Sequence, residues 1–165
     1  MSKGHPGTGL ALPPNKEGPM RVLLAVDLHH EGREAVVQEG VRWATALGAT
    51  LDLAFADEYD YSAYLIRDAK IRQLVVAEWE EIKQGHHDEL ARLASLVPES
   101  IRGEGRYLSG RAREALTEVS SEYGALLIAT HGRKGLGHFF LGSVAEAVIR
   151  NVMVPVIVLR LPATD

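Results

Sequence analysis

The segment from Ile128 to Arg150 carries the residues whose types and spacing best suit chemistry. It reads IATHGRKGLGHFFLGSVAEAVIR and places four glycines and two histidines between an apolar run and a segment of helical character. Unpaired amides and the helix dipole make a glycine-rich stretch before a helix a ready site for a phosphate group. A flexible connector would use the same residues, so the glycines alone do not separate the two uses.

The spacing inside this segment is more informative than its composition. Gly132 and Gly142 enclose nine residues, and Ser143 follows at the start of a predicted helix. Gly132 serves either a turn with a positive φ or the close approach of a phosphate. The hydroxyl of Ser143 is predicted to cap the helix by accepting from an amide of its first turn, and a phosphate could use the same amides.

Histidines and two basic residues lie in the same segment or in the loop predicted to converge on it. Zinc or nickel would accept imidazole ligands, but the chain has no HExxH pattern that would fix their geometry. We therefore favour histidines that line a pocket, with His131 near the phosphates. Arg133 and Lys134 are either phosphate partners or solvated loop cations. The four histidines of the two loops predicted to converge are His29, His30, His131 and His138.

The elements that position these residues alternate along the chain. Apolar runs predict strands at 21–27, 49–56, 125–130 and 154–160, with a weaker strand ending near Leu108. Helical periodicity predicts helices at 33–47, 69–97, 111–123 and 143–151. Residues 57–63 are expected to form a loop. Gly85 is a possible break in the second helix, where His86 and His87 are expected on the surface or in packing, away from any strand end.

Strands that alternate with helices predict a doubly wound α/β sandwich with a mainly parallel sheet. Ligands of such sheets bind outside the carboxyl ends of the strands, where the strand order reverses. Asp27 ends the first predicted strand at this edge, and the alternative to a contact with a ligand is an ordinary N-terminal cap or loop acid.

Length and composition exclude several classes of function. The 165 residues suffice for one domain. The net charge of −4 does not suggest a nucleic acid or an anionic membrane as a binding partner. The absence of cysteine excludes thiol chemistry. Residues 1–19 are interpreted as a flexible tail without a signal peptide, and no apolar stretch approaches the length of a membrane span. We expect a cytoplasmic protein. Walker-type, GxSxG, HxGH and SGGxDS motifs are absent, which argues against a dedicated nucleotide hydrolase, an esterase or an adenylyl-transferring enzyme.

The pattern A-TH-G-RKGLGHFFL-GS, followed by LGSVAE and a later VPVIVL, resembles the universal stress protein family over residues 21–160. The nucleotide-binding members of that family carry a glycine, two residues, a second glycine, nine residues, then a glycine and Ser or Thr. The resemblance implies a single five-stranded, Rossmann-like domain over residues 20–162, with helices on both faces of a mainly parallel sheet. Ala129 replaces the first glycine of the pattern, and its methyl group either is harmless or displaces the phosphates.

The resemblance also implies a function. It implies an ATP-binding dimer that acts in stress regulation, with Mg²⁺ held through the nucleotide, no catalytic residue and at most slow hydrolysis. The alternative is a dimer that binds no nucleotide and acts only through an unknown protein partner. The implied nucleotide-binding residues are Ala25, Val26, Asp27, Phe55, Ala56, Ala129, His131, Gly132, Arg133, Gly142, Ser143 and Val144. The last strand is expected at a sheet edge, where it would pair across a two-fold axis through Val154, Val156, Ile157, Val158 and Leu159.

Overall fold

Strands and helices alternate through the whole fold. The computed structural model describes residues 18–58, 65–130 and 142–160. The strands are β1 (Arg21–Ala25), β2 (Thr50–Asp57), β3 (Arg102–Ser109), β4 (Ala125–Thr130) and β5 (Val156–Arg160). The helices are α1 (Arg33–Leu47), α2 (Ala69–Ser95), α3 (Ala112–Ser120) and α4 (Ser143–Asn151).

The five strands form one sheet in the order β3-β2-β1-β4-β5, and every pairing between them is parallel. The predicted doubly wound α/β fold is therefore confirmed. After β1 the chain builds the sheet outward on one side to β2 and β3, and then returns to add β4 and β5 on the other side. This reversal between β1 and β4 creates a crevice at the carboxyl ends of the strands.

Both faces of the sheet are apolar because helices cover both. One core cluster includes Leu24, Val37 and Leu93 and joins the sheet to α1 and α2. The other includes Leu126 and Val148 and joins it to α3 and α4. Each fully buried leucine of this kind contributes roughly 1.5–3 kcal/mol, so the strand ends that surround the crevice are held on a rigid support.

Several element boundaries differ from those predicted. β1 ends at Ala25, two residues early, and β5 begins at Val156, two residues late, because Pro155 has no amide proton to donate to a ladder. Helix α2 runs without a break through Gly85, whose surroundings are open, so the glycine costs only about 1 kcal/mol of helix propensity. Asp57 belongs to β2 rather than to a loop.

Helix α3 ends at Ser120, three residues before its predicted end at residue 123. Tyr123 has another role. The Tyr123 hydroxyl donates to Oδ2 of Asp52 (2.8 Å), a fully buried carboxylate that also pairs with Arg21 and accepts from the amide of Glu104. Burial raises the pKa of Tyr123 to about 12. The tyrosine therefore stays protonated and satisfies a carboxylate that would be costly to bury alone.

Candidate functional site

A cleft of about 690 Å³ opens at the carboxyl ends of β1, β2 and β4 and reaches the first turns of α3 and α4. This volume lies within the range of small-molecule sites. Of the twelve predicted site residues, nine line the cleft: Ala25, Val26, Asp27, Phe55, Ala56, Ala129, Gly142, Ser143 and Val144. The other three, His131, Gly132 and Arg133, lie outside the described residues, as do Lys134 and His138.

The turn after β1 brings an acid and two histidines to the cleft. Oδ1 of Asp27 accepts from the amide of His29 (2.9 Å), and the amide of His30 donates to the Asp27 carbonyl oxygen (3.2 Å). Nδ1 of His30 then accepts from the amide of Gly32 (2.9 Å), just before α1 begins. These local bonds order the turn, and Asp27, His29 and His30 all line the cleft.

The start of α4 differs from the prediction. Ser143 is the first helical residue, the N-cap is Gly142, and no side chain of the described residues caps the helix. The prediction that Ser143 caps the helix is wrong because the cap position is one residue earlier. There the backbone has φ 77° and ψ 143°, a conformation that favours glycine. Among the side chains that the structure describes, none therefore caps the first-turn amides of α4 at the edge of the cleft.

Two acids of the cleft were missed by the sequence analysis. Glu58 Oε1 accepts from the amide of Ala112 (3.1 Å) and so meets the positive end of the α3 dipole. Asp57 Oδ2 accepts from the hydroxyl of Tyr107 and lies 3.0 Å from Nδ1 of His86. The strand-end rule that singled out Asp27 would also have found Asp57 if the second strand had been extended by one residue.

His86 also corrects the sequence analysis, which placed both histidines of the second helix away from strand ends. Its ring lies 4.9 Å from that of Phe55 and 5.1 Å from that of His29, both lining residues of the cleft. The His87 ring stacks on the Tyr107 ring with the ring centroids 4.4 Å apart, in agreement with a packing role. Helix α2 therefore supports the cleft at the end of β2.

A smaller cavity of about 250 Å³ adjoins the cleft and shares Glu58, Ser143 and Val144 with it. Arg111 and Arg113 add two cations to its wall. Within residues 18–58, 65–130 and 142–160, no three His, Asp or Glu side chains are grouped closely enough to hold a metal ion.

Residues 19–160 match the Universal stress protein family. The chain belongs to the universal stress protein family. It is 30% identical over 143 residues to a Staphylococcus haemolyticus protein that bears the universal stress protein name, and the match covers 84% of this chain and 83% of that one. None of the helices in the described ranges combines the length and apolarity needed to cross a membrane.

Solved structures agree on the fold of this family member. A universal stress protein crystallised with cAMP shares 18% identity and a TM-score of 0.56, over 87% of this chain and 98% of the other. The universal stress protein of Archaeoglobus fulgidus in complex with dAMP shares 19% identity and a TM-score of 0.55, over 84% and 96%. At these identities the likeness concerns the fold.

Proposed function

We propose that this universal stress protein binds an adenine nucleotide, ATP with Mg²⁺, and acts as a cytoplasmic homodimer in stress regulation rather than as a fast catalyst. The observation that carries the proposal is the start of α4, where no side chain of the described residues caps the helix and which lies at the edge of a cleft of nucleotide size. The complexes of two structural relatives with cAMP and dAMP support an adenine nucleotide as the ligand class.

Each wall of the cleft suits one part of a nucleotide. Val26 and Phe55 offer apolar surface to adenine, and the carboxylate of Asp27 can accept hydrogen bonds from ribose hydroxyls. Phosphates would meet the amides and the dipole of α4 at Gly142, Ser143 and Val144. The predicted contacts of His131, Gly132 and Arg133 complete the phosphate end of the proposal.

Magnesium would be held through the phosphates, with the Ser143 hydroxyl beside it. This arrangement supplies charge neutralisation and no activated nucleophile, so we expect at most slow hydrolysis.

The open edge of β5 supports the homodimer. The Leu126 amide donates to the Pro155 carbonyl oxygen (2.9 Å). In a parallel pair, successive residues of a strand direct their backbone groups alternately toward and away from the neighbouring strand. Val156 and Val158 consequently turn their backbone groups away from β4, toward the open edge. Such an edge invites pairing with another strand.

Ser143→Ala separates ligand binding from folding. The hydroxyl caps no helix, so we expect an unchanged melting temperature. Loss of one hydrogen bond to a charged group should weaken Mg-ATP binding roughly tenfold. Isothermal titration calorimetry measures the affinity, and Ser100→Ala, an exposed serine outside the cleft, is the matched control. Equal affinities for Ser143→Ala and wild type would contradict the placement of the Ser143 hydroxyl beside the Mg-phosphate group.

A further inference from the structure

Charge is distributed unevenly between the cleft and the smaller cavity beside it. Asp27, Asp57 and Glu58 place three carboxyl groups on the cleft wall, and no lysine or arginine of the described residues lines the cleft. Carboxylates at the ends of β1 and β2 accept hydrogen bonds from hydroxyl groups of a ligand but oppose its anionic groups. Among the described residues, positive side chains suited to a phosphate chain lie next to the cleft rather than in it.

The smaller cavity supplies those positive side chains. Arg111 and Arg113 line it together with Glu58, and the start of α4 closes it with Ser143 and Val144. The same two residues of α4 line the cleft, so the cavity begins where phosphates would meet the helix. Its volume of about 250 Å³ is sufficient for a phosphate group, since one water molecule occupies only about 30 Å³ of the liquid.

The two arginines do not stabilise the helix on which they lie. Arg111 is the N-cap of α3 without a capping hydrogen bond from its side chain, and Arg113 lies in the first turn. Positive charge at the amino end of a helix opposes the helix dipole. The acid that suits this position is Glu58, whose Oε1 accepts from the amide of Ala112 (3.1 Å). The stability of α3 therefore does not account for two arginines here.

Both guanidinium groups keep hydrogen-bond donors for a ligand. Their shared ion-pair partner is Glu114, whose Oε1 lies 3.8 Å from Nη1 of Arg111 and 3.6 Å from Nε of Arg113. These separations exceed the length of a hydrogen bond, and a guanidinium has five N–H donors. Glu114 is 64% exposed, so water and salt screen its charge. On the described wall of the cavity itself, two guanidinium groups face the single carboxylate of Glu58.

We propose that the smaller cavity receives the terminal phosphate of the nucleotide, and that Arg111 and Arg113 make the site select nucleoside triphosphates over monophosphates. This inference rests on the proposed binding of an adenine nucleotide in the cleft. A nucleotide with its first phosphate at the amides of α4 extends its second and third phosphates past Ser143 into the cavity. Arginine binds phosphate oxygens through paired, directional hydrogen bonds, and the single phosphate of AMP ends too early to reach them.

The ratio of the affinities for Mg-ATP and AMP tests the proposal, by calorimetric titration of the nucleotide-stripped full-length protein. Wild type should bind Mg-ATP at least tenfold more tightly than AMP. The double variant Arg111→Gln, Arg113→Gln should lose tenfold or more in affinity for Mg-ATP, as expected for hydrogen bonds between charged groups, and less than about threefold for AMP. The matched control is Arg42→Gln, which changes an exposed arginine of α1 that pairs with a glutamate and should leave both affinities unchanged.

Failure of this inference and failure of the proposed function give different results. If wild type binds Mg-ATP and AMP equally well, or if the double variant loses both to the same extent at an unchanged melting temperature, the arginines do not select triphosphates, although a nucleotide still binds. If neither nucleotide binds to wild type, the inference and the proposed function are both overturned. Should the double variant melt below wild type, the single changes Arg111→Gln and Arg113→Gln carry the same comparison, and an unchanged ratio in both would overturn the inference.

Discussion

At the scale of single residues, Ala129 occupies the position where the nucleotide-binding pattern of the family has glycine. Its side chain packs against the core cluster under α1 and α2, although the residue also lines the cleft. This packing supports the proposal that the extra methyl group is compatible with a nucleotide.

Ala129→Gly tests that interpretation. We expect the affinity for Mg-ATP to change by less than about threefold, while the free energy of unfolding falls by about 0.5–1 kcal/mol because glycine weakens a strand. Calorimetric titration and urea denaturation measure the two effects. A gain in affinity of tenfold or more would show that the methyl group obstructs the phosphates.

The site residues that the sequence predicted lie where a local sequence pattern marks the end of a strand or the start of a helix. Asp27 and Gly142 lie next to boundaries that local patterns define, an apolar run and a glycine before a helix. Glu58 and His86 depend instead on which elements become neighbours, since Glu58 bonds to α3 and His86 contacts the end of β2. Periodicity within one segment contains no information on such contacts.

At the scale of elements, α1 and α2 are joined by a network of charges. Glu89 accepts from Nε of Arg33 (2.6 Å) and of Arg92 (2.8 Å), and Arg92 also pairs with Glu34. These hydrogen bonds, that of Arg92 first, lower the pKa of Glu89 to about 2 from its ordinary 4.5. The helical periodicity of α2 was predictable, but its partners on α1 were not, because they depend on how the helices pack.

The lowered pKa of Glu89 predicts a pH-dependent stability. A carboxyl group with a depressed folded-state pKa stabilises the fold above its unfolded value, near pH 4.5, and loses that contribution as pH falls through about 2. Glu89→Gln should therefore be less stable than wild type at neutral pH, and the difference should shrink below pH 4.5. Urea denaturation at several pH values measures it, with exposed Glu99→Gln as control. A difference independent of pH would contradict the charge network.

At the scale of the whole molecule, the sheet order explains both the cleft and the open edges. The sequence predicted alternating elements and a last strand at an edge, and β5 is confirmed there. Whether an edge pairs with a second chain is not decided by one chain alone, so the β5 dimer remains a prediction. Exposed Val158, at 38%, is the residue through which it is most directly tested.

Val158→Lys should reduce the mass of the assembly, because a lysine on an edge strand opposes pairing by its charge. Light scattering coupled to size exclusion at micromolar concentration measures the change against wild type. Glu118→Lys, an exposed position on α3 remote from the edge, controls for the added charge. An assembly of unchanged mass would contradict pairing through β5.

The central claim, nucleotide binding in the cleft, is tested most directly by titrating the nucleotide-stripped protein with Mg-ATP in a calorimeter. The account predicts one site per chain with micromolar or tighter affinity, weakened by Ser143→Ala. No heat of binding at millimolar Mg-ATP, together with no nucleotide released on denaturation of the untreated protein, would contradict it and would favour a dimer that acts through protein partners alone.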